Sequence, residues 1–145
     1  MLKAKRSIAI AVCMVVFLFS FSTGRVVKAE QQPGTMSISW VTLQSISLGL
    51  IYDDDTDTVY WGGILQGNSS THSMTATFRL YKLISGQYVQ VAESPFQSST
   101  SMVLSYEGAY SPATTGTYKV TVNGAIMNTS GQVEFFDNSF VKTFP

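Results

Sequence analysis

Apolar and polar residues alternate along much of this chain beyond residue 36, as in strands that bury one face. The segment Met74–Lys82 is the clearest case, and its inward apolar residues are Met74, Ala76, Phe78 and Leu80. A second run, Thr117–Asn123, places Tyr118, Val120 and Val122 inward. We expect it to continue through Ala125–Met127 past a bulge at Asn123-Gly124, because a glycine inside a strand pattern often marks one. No segment keeps a helical period for long.

Turn residues separate these runs and predict hairpins. Ser85-Gly86 joins Met74–Lys82 to the alternating run Gln87–Ala92, and Asn128–Gly131 precedes a last strand that starts at Val133–Phe136. The other predicted strands are Ser37–Thr42, Ser45–Tyr52, Thr58–Leu65 and Ser101–Tyr106. Short strands at this spacing predict an all-β fold, an antiparallel β-sandwich of about seven strands.

The beginning of the chain has the order of a secretory signal peptide. Three basic residues within Met1–Arg6 precede an apolar run, Ile8–Phe21, and small residues follow it up to Ala29. The run is shorter than the roughly 20 residues of a membrane span, so cleavage after Ala29 is expected and retention as an anchor is the alternative. The predicted organisation is a signal peptide over 1–29, a polar leader over 30–36 and one β-domain over 37–145.

Charge and cysteine content narrow the function classes. The whole chain has nine basic and nine acidic residues, whereas Glu30–Pro145 keeps four basic and all nine acidic ones, a net charge of −5. An acidic domain has no electrostatic reason to bind nucleic acid or anionic lipid. The one cysteine, Cys13, lies in the signal, and the chain has one histidine, so neither a disulfide framework nor a zinc site is expected. These features predict a secreted, extracellular or cell-envelope protein with no membrane span after cleavage.

An acidic loop is the candidate metal site. Asp53, Asp55 and Asp57 have the alternate spacing that begins an EF-hand loop. Thr58 stands where that loop needs glycine, and Ile64 stands where it needs the bidentate glutamate. Two hypotheses stay open, a weak calcium site and a solvated hairpin turn, and no other cofactor is expected.

Aromatic side chains are the candidate ligand-binding groups. Tyr81 lies on the polar face of its predicted strand, Tyr88 follows across the hairpin, and Trp40 lies in the first predicted strand. Two or more exposed rings can form a platform on which a sugar stacks, while Asp, Asn or Gln side chains bind its hydroxyls. The alternative is that Trp61 and Tyr118 belong to the core and the other aromatic residues cover strand surfaces.

The segment Thr114–Val120 resembles the corner before strand F of immunoglobulin-like domains, where a tyrosine hydroxyl bonds back to the turn. Tyr118 is the matching tyrosine, and Val120 stands where antibody domains have a cysteine. The resemblance therefore implies a disulfide-free immunoglobulin-like β-sandwich in which Tyr118 is the structural corner.

A wider likeness rests on the segments Thr75–Ala92, Ser98–Ser101 and Thr115–Val120. They resemble small secreted immunoglobulin-like β-sandwich proteins of Gram-positive bacteria, a family without assigned activity, and the likeness covers about Ser45 to Phe140. A shared fold of this kind implies no functional residue.

Catalytic groups do not form a recognisable set. His72 has neither a nucleophile elbow nor an oxyanion loop beside it, and no pair of carboxylates is placed as in a glycosidase. The sequence predicts a secreted, non-enzymatic domain that binds a protein or a glycan at the cell envelope. Two alternatives stay open: a structural or matrix protein that self-associates through edge strands, with Val133–Phe136 as its contact, and a small hydrolase, which is disfavoured.

Overall fold

The structure, a computed structural model, describes residues 42–145. The predicted signal peptide, the leader, Trp40 and all of the strand predicted over 37–42 except Thr42 lie outside these residues. The described strands are β1 (Leu43–Asp53), β2 (Thr58–Gly67), β3 (Thr71–Ile84), β4 (Gln87–Glu93), β5 (Gln97–Ser99), β6 (Val103–Tyr110), β7 (Gly116–Asn128) and β8 (Val133–Phe144). Within this part of the chain there is no helix long and apolar enough to cross a membrane.

The strands form two antiparallel sheets in a β-sandwich-like arrangement. One sheet has three strands in the order β1-β2-β6. The other has five strands, with the order β4-β3-β7-β8 and with β5 also paired to β3. The predicted all-β antiparallel fold is confirmed. The described residues hold eight strands, and the three-residue β5 is the one that the alternation did not predict.

The inner faces of the two sheets share one hydrophobic core. The four residues predicted to face inward in β3 are at most 1% exposed, and Tyr118, Val120 and Val122 of β7 are fully buried. Trp61 of β2 is 2% exposed, as expected of a core residue. Contact between the sheets is direct, because the Phe78 ring stacks on the Tyr106 ring of β6 with centroids 5.4 Å apart. The predicted inward face is therefore confirmed.

The turn after β3 has the backbone that a two-residue hairpin requires. Ser85 and Gly86 both have positive φ, 49° and 81°, which matches the right-handed twist of the flanking strands. This turn brings β4 back along β3 with Leu83 opposite Tyr88. The hairpin predicted at Ser85-Gly86 is confirmed, and it places two tyrosine-bearing strands side by side.

The bulge predicted at Asn123-Gly124 is wrong. The pairing of β7 with β3 and with β8 runs through both positions without a register shift. Gly124 is required for a different reason, since a Cβ there would overlap the carbonyl oxygen of Thr75 and lie 2.7 Å from the Phe136 ring. The glycine allows close approach of a neighbouring backbone, which is the other common reason for glycine in a strand.

Register shifts occur elsewhere in the five-stranded sheet. The pairing of β4 with β3 passes from Ala92 to Gln90 and skips Val91. A similar shift leaves out His72 near the start of β3. The turn-rich stretch 68–73 predicts a surface loop for this histidine, and that prediction is wrong, because His72 is an exposed residue of β3. A skipped residue changes which face the following side chains occupy. Because Val91 is skipped, Gln90 and Tyr88 share the face that carries Tyr81.

Candidate functional site

The outer face of the five-stranded sheet carries two of the three aromatic residues predicted to bind a ligand. Tyr81 of β3 lies opposite Gln90 of β4 on one side and Lys119 of β7 on the other. Tyr88 of β4 is 38% exposed and lies opposite Leu83, two residues nearer the turn than the pair of Tyr81 and Gln90. The pleat directs Lys119 outward because its neighbours in β7 are buried in the core.

The ammonium group of Lys119 lies over both tyrosine rings. Its Nζ is 4.2 Å from the Tyr88 ring centroid and 5.1 Å from the Tyr81 ring centroid. Both distances are within the roughly 6 Å range of cation–π attraction. We call Tyr81, Tyr88 and Lys119 the tyrosine–lysine cluster. Two of the three predicted ligand-binding aromatics are thus brought together, while Trp40 lies outside the described residues.

A row of polar side chains adjoins the tyrosine–lysine cluster. Arg79 Nε donates to Glu93 Oε2 at 2.6 Å, and Arg79 Nη1 donates to Asn123 Oδ1. Gln90 Nε2 reaches the same Glu93 oxygen at 3.4 Å. The Arg79 and Glu93 side chains are 29% and 45% exposed, so this ion pair is solvent-screened and adds little to stability. The ion pair instead holds hydrogen-bonding groups in place beside the two tyrosine rings.

The acidic loop is a hydrogen-bonded turn. Asp53 Oδ1 accepts from the Asp55 backbone N–H at 3.0 Å, and its Oδ2 accepts from the Thr56 hydroxyl at 2.7 Å. Asp57 has a positive φ of 48° and accepts from the Tyr52 hydroxyl at 2.9 Å. Among residues 42–145 no three His, Cys, Asp or Glu side chains are grouped as a metal site requires. The calcium hypothesis for Asp53, Asp55 and Asp57 stays a prediction without geometric support.

Tyr52 makes the acidic loop sensitive to alkaline pH. Its hydrogen bond to Asp57, with a smaller contribution from burial, raises the pKa of Tyr52 above the ordinary 10.0. A raised pKa in the folded state means that the bond stabilises the protein fully below about pH 10 and that this stabilisation is lost as pH rises through the raised pKa. We expect the free energy of unfolding of the parent to fall more steeply between about pH 9 and pH 12 than that of Tyr52→Phe. Urea unfolding at several pH values measures this, and parallel curves would contradict it.

Tyr118 makes the contact expected of a structural corner. Its ring is fully buried, and its hydroxyl donates to the carbonyl oxygen of Thr114 at 2.6 Å. The Tyr118 ring also lies 6.1 Å from the Phe144 ring, which ties β7 to the end of β8. This residue therefore holds the turn before β7 and is not available to a ligand.

Lys119 is the site residue that sequence reasoning missed. Alternation in Thr117–Asn123 already placed it outward, but nothing in the sequence gave its partners across two strand pairs. Those partners depend on the register of β3 with β7 and on the skipped Val91 in β4.

No protein-family model matches this chain, and no curated protein matches it significantly. The geometry of the outer face of the five-stranded sheet is therefore the basis for assigning a function.

Proposed function

We propose that this chain is a secreted, non-enzymatic domain that binds an acidic glycan of the cell envelope through the outer face of its five-stranded sheet. One observation carries the proposal: the Lys119 ammonium lies over the rings of Tyr81 and Tyr88 on a solvent-accessible sheet face. Export is supported by the order of charged, apolar and small residues over 1–29.

The tyrosine–lysine cluster combines the two properties that a carboxylated sugar needs. The phenol rings offer apolar surface to the C–H face of a sugar and hydroxyls to its polar edge. Lys119 offers a cation that contacts rings, and among residues 42–145 no carboxylate lies within ion-pair distance of it. A neutral sugar that stacked on the two tyrosine rings would displace the Lys119 ammonium and would offer no charge to replace the lost cation–π attraction. A uronate can instead bind the ammonium while its ring contacts the tyrosines, so acidic sugars are favoured.

The polar row completes the proposed site. Gln90, Arg79 and Asn123 present amide and guanidinium groups next to the rings. Gln90 and Arg79 both donate to Glu93, and Arg79 also donates to Asn123, so these positions are fixed by hydrogen bonds. Groups of this kind bind sugar hydroxyls with defined geometry. We assign them the recognition of hydroxyl positions and assign Lys119 the recognition of charge.

The proposed fold type is immunoglobulin-like. The strand orders β1-β2-β6 and β4-β3-β7-β8 support it, because they match the A-B-E and C′-C-F-G orders of such sandwiches. The bond from Tyr118 to Thr114 at the start of β7 supports it as well. Val120, buried two residues later, takes the place of the antibody cysteine.

A titration with tetragalacturonate and with the neutral tetragalactose tests the proposal. We expect the acidic oligosaccharide to bind and Lys119→Gln to raise its Kd about tenfold or more, since a charge-assisted contact contributes about 1.5–3 kcal/mol. Isothermal titration calorimetry provides the Kd values.

Lys82→Gln is the matched control. The Lys82 ammonium also lies near an aromatic ring, 5.2 Å from the Tyr118 ring centroid, and it contacts Thr114. Both contacts are away from the tyrosine–lysine cluster. We expect this variant to bind like the parent. Equal weakening by both variants would mean that bulk charge drives binding, and binding of the neutral sugar with equal affinity would refute charge recognition.

A further inference from the structure

Strand β8 is an edge of the five-stranded sheet. Among residues 42–145 it pairs with β7 alone, from Val133 opposite Met127 to Phe144 opposite Gly116. Contacts from β1 reach it through side chains, as between the Tyr52 and Phe144 rings, whose centroids are 5.7 Å apart. An unpaired edge presents backbone N–H and C=O groups to any other extended chain.

Within residues 42–145, this edge has little of the protection that natural edge strands normally have. Its large apolar residues are exposed, with Val133 at 50%, Phe135 at 76%, Phe140 at 40% and Val141 at 46%. Edge strands are usually short, interrupted by proline, or rich in lysine. β8 is long, and its polar interruption is central: Asn138 Oδ1 accepts from the Ser139 N–H at 2.8 Å. The apolar residues on both sides of Asn138 point to a partner strand.

When two identical strands pair antiparallel about a two-fold axis, the residue on the axis faces its own copy. This is required because residues directly opposite each other have their side chains on the same face of the sheet. Three such residues lie near the middle of β8: Asp137, Asn138 and Ser139. Pairing about Asp137 would set two carboxylates opposite each other, which is unfavourable. Pairing about Ser139 would set Lys142 opposite the partner's Phe136. These two registers are therefore disfavoured.

Pairing about Asn138 gives three pairs of large side chains of the strand complementary partners. It sets Lys142 opposite the partner's Glu134, and Phe140 opposite the partner's Phe136, and the two-fold axis repeats each pair. On the outer face it sets Phe135 opposite the partner's Val141. Opposite charges and apolar residues that face each other directly are the pairs that stabilise antiparallel sheets.

We infer that two copies of this chain associate through antiparallel pairing of their β8 strands, with Asn138 on the two-fold axis. The occupant of the edge is a second copy, because the charge and apolar pattern of β8 is complementary to itself in the register about Asn138. The inference does not depend on the tyrosine–lysine cluster, which lies on other strands.

Cysteine cross-linking tests the register. In the full chain carrying Cys13→Ser, Asn138→Cys places the one thiol next to its own copy, and we expect a disulfide-linked dimer under mild oxidation. Thr143→Cys is the matched control on the same strand, and its copy is far away in this register, so it should stay monomeric. Equal cross-linking of the two variants, or none with Asn138→Cys, would overturn the inference.

A charge exchange tests the same contact without cross-linking. Lys142→Glu places like charges opposite each other twice in the dimer, and we expect it to weaken association about tenfold in sedimentation velocity. Adding Glu134→Lys should restore association, whereas a purely structural effect of either change would persist in the double variant. Failure of the restoration, with both variants folded by circular dichroism, would count against the pairing.

Discussion

Replacing Phe78 by alanine is expected to remove a large part of the stability of the domain. Phe78 is fully buried in the middle of β3 and stacks on Tyr106 of the other sheet. Deleting a buried phenylalanine ring costs about 3–5 kcal/mol, because transfer free energy is lost and a cavity remains. Domains of this size unfold with about 5–15 kcal/mol, so the variant should be near its unfolding threshold at room temperature. Urea unfolding with linear extrapolation gives the difference.

Phe96→Ala is the control for this prediction. The Phe96 side chain is 70% exposed, so the same deletion removes little buried surface and leaves no cavity. We expect a change within about 0.5 kcal/mol of the parent, as for ordinary surface substitutions. Similar losses in the two variants would show that Phe78 does not occupy the core position described here.

Gly124→Ala is expected to destabilise the five-stranded sheet by about 3 kcal/mol, near the upper end of overpacking costs. The added methyl group would overlap the Thr75 carbonyl oxygen, and it would lie 2.9 Å from the Ala76 Cα. Both are backbone atoms of the central strand β3, so relief requires moving the strand and not a flexible side chain. Thermal and urea unfolding both report the loss.

Gly131→Ala separates packing from backbone preference. Gly131 has a positive φ of 81° and open space around its Cα, so alanine there meets only the conformational cost of about 1–2 kcal/mol. We expect Gly124→Ala to lose more stability than Gly131→Ala. The reverse order would mean that β7 can move away from β3 at Gly124, contrary to the unbroken register seen there.

The strands and their buried faces could be predicted because alternation is local information. Phe78 and Tyr118 were assigned inward from their neighbours alone, and the structure buries both fully. The register shift at Val91 could not be predicted, because a bulge depends on which side chains of both paired strands are buried on the same face of the sheet. Gly124 shows the same limit, since its requirement comes from Thr75, which is distant in sequence.

The candidate site could be predicted only in part for a related reason. Tyr81 and Tyr88 were recognisable as an exposed pair because one hairpin joins their strands. Lys119 reaches them through the pairing of β7 with β3, and its ammonium position depends on side-chain conformations that a sequence does not specify. Its presence narrows the proposed ligand from a sugar of unspecified charge to an acidic one.

The order in which the strands pair has a consequence for how the chain acquires its structure. The central partners β3 and β7 are far apart in sequence, and the Thr75 hydroxyl donates to the carbonyl of Ala125, 50 positions later. Non-local pairing of this kind makes folding slow, because the loop must close before its contacts form. The five-stranded sheet cannot assemble until β7 has been synthesised, because β3 and β8 both pair with it. A growing chain of this topology can form its hairpins and the sheet β1-β2-β6 early, but it closes its shared core only after β7 is available.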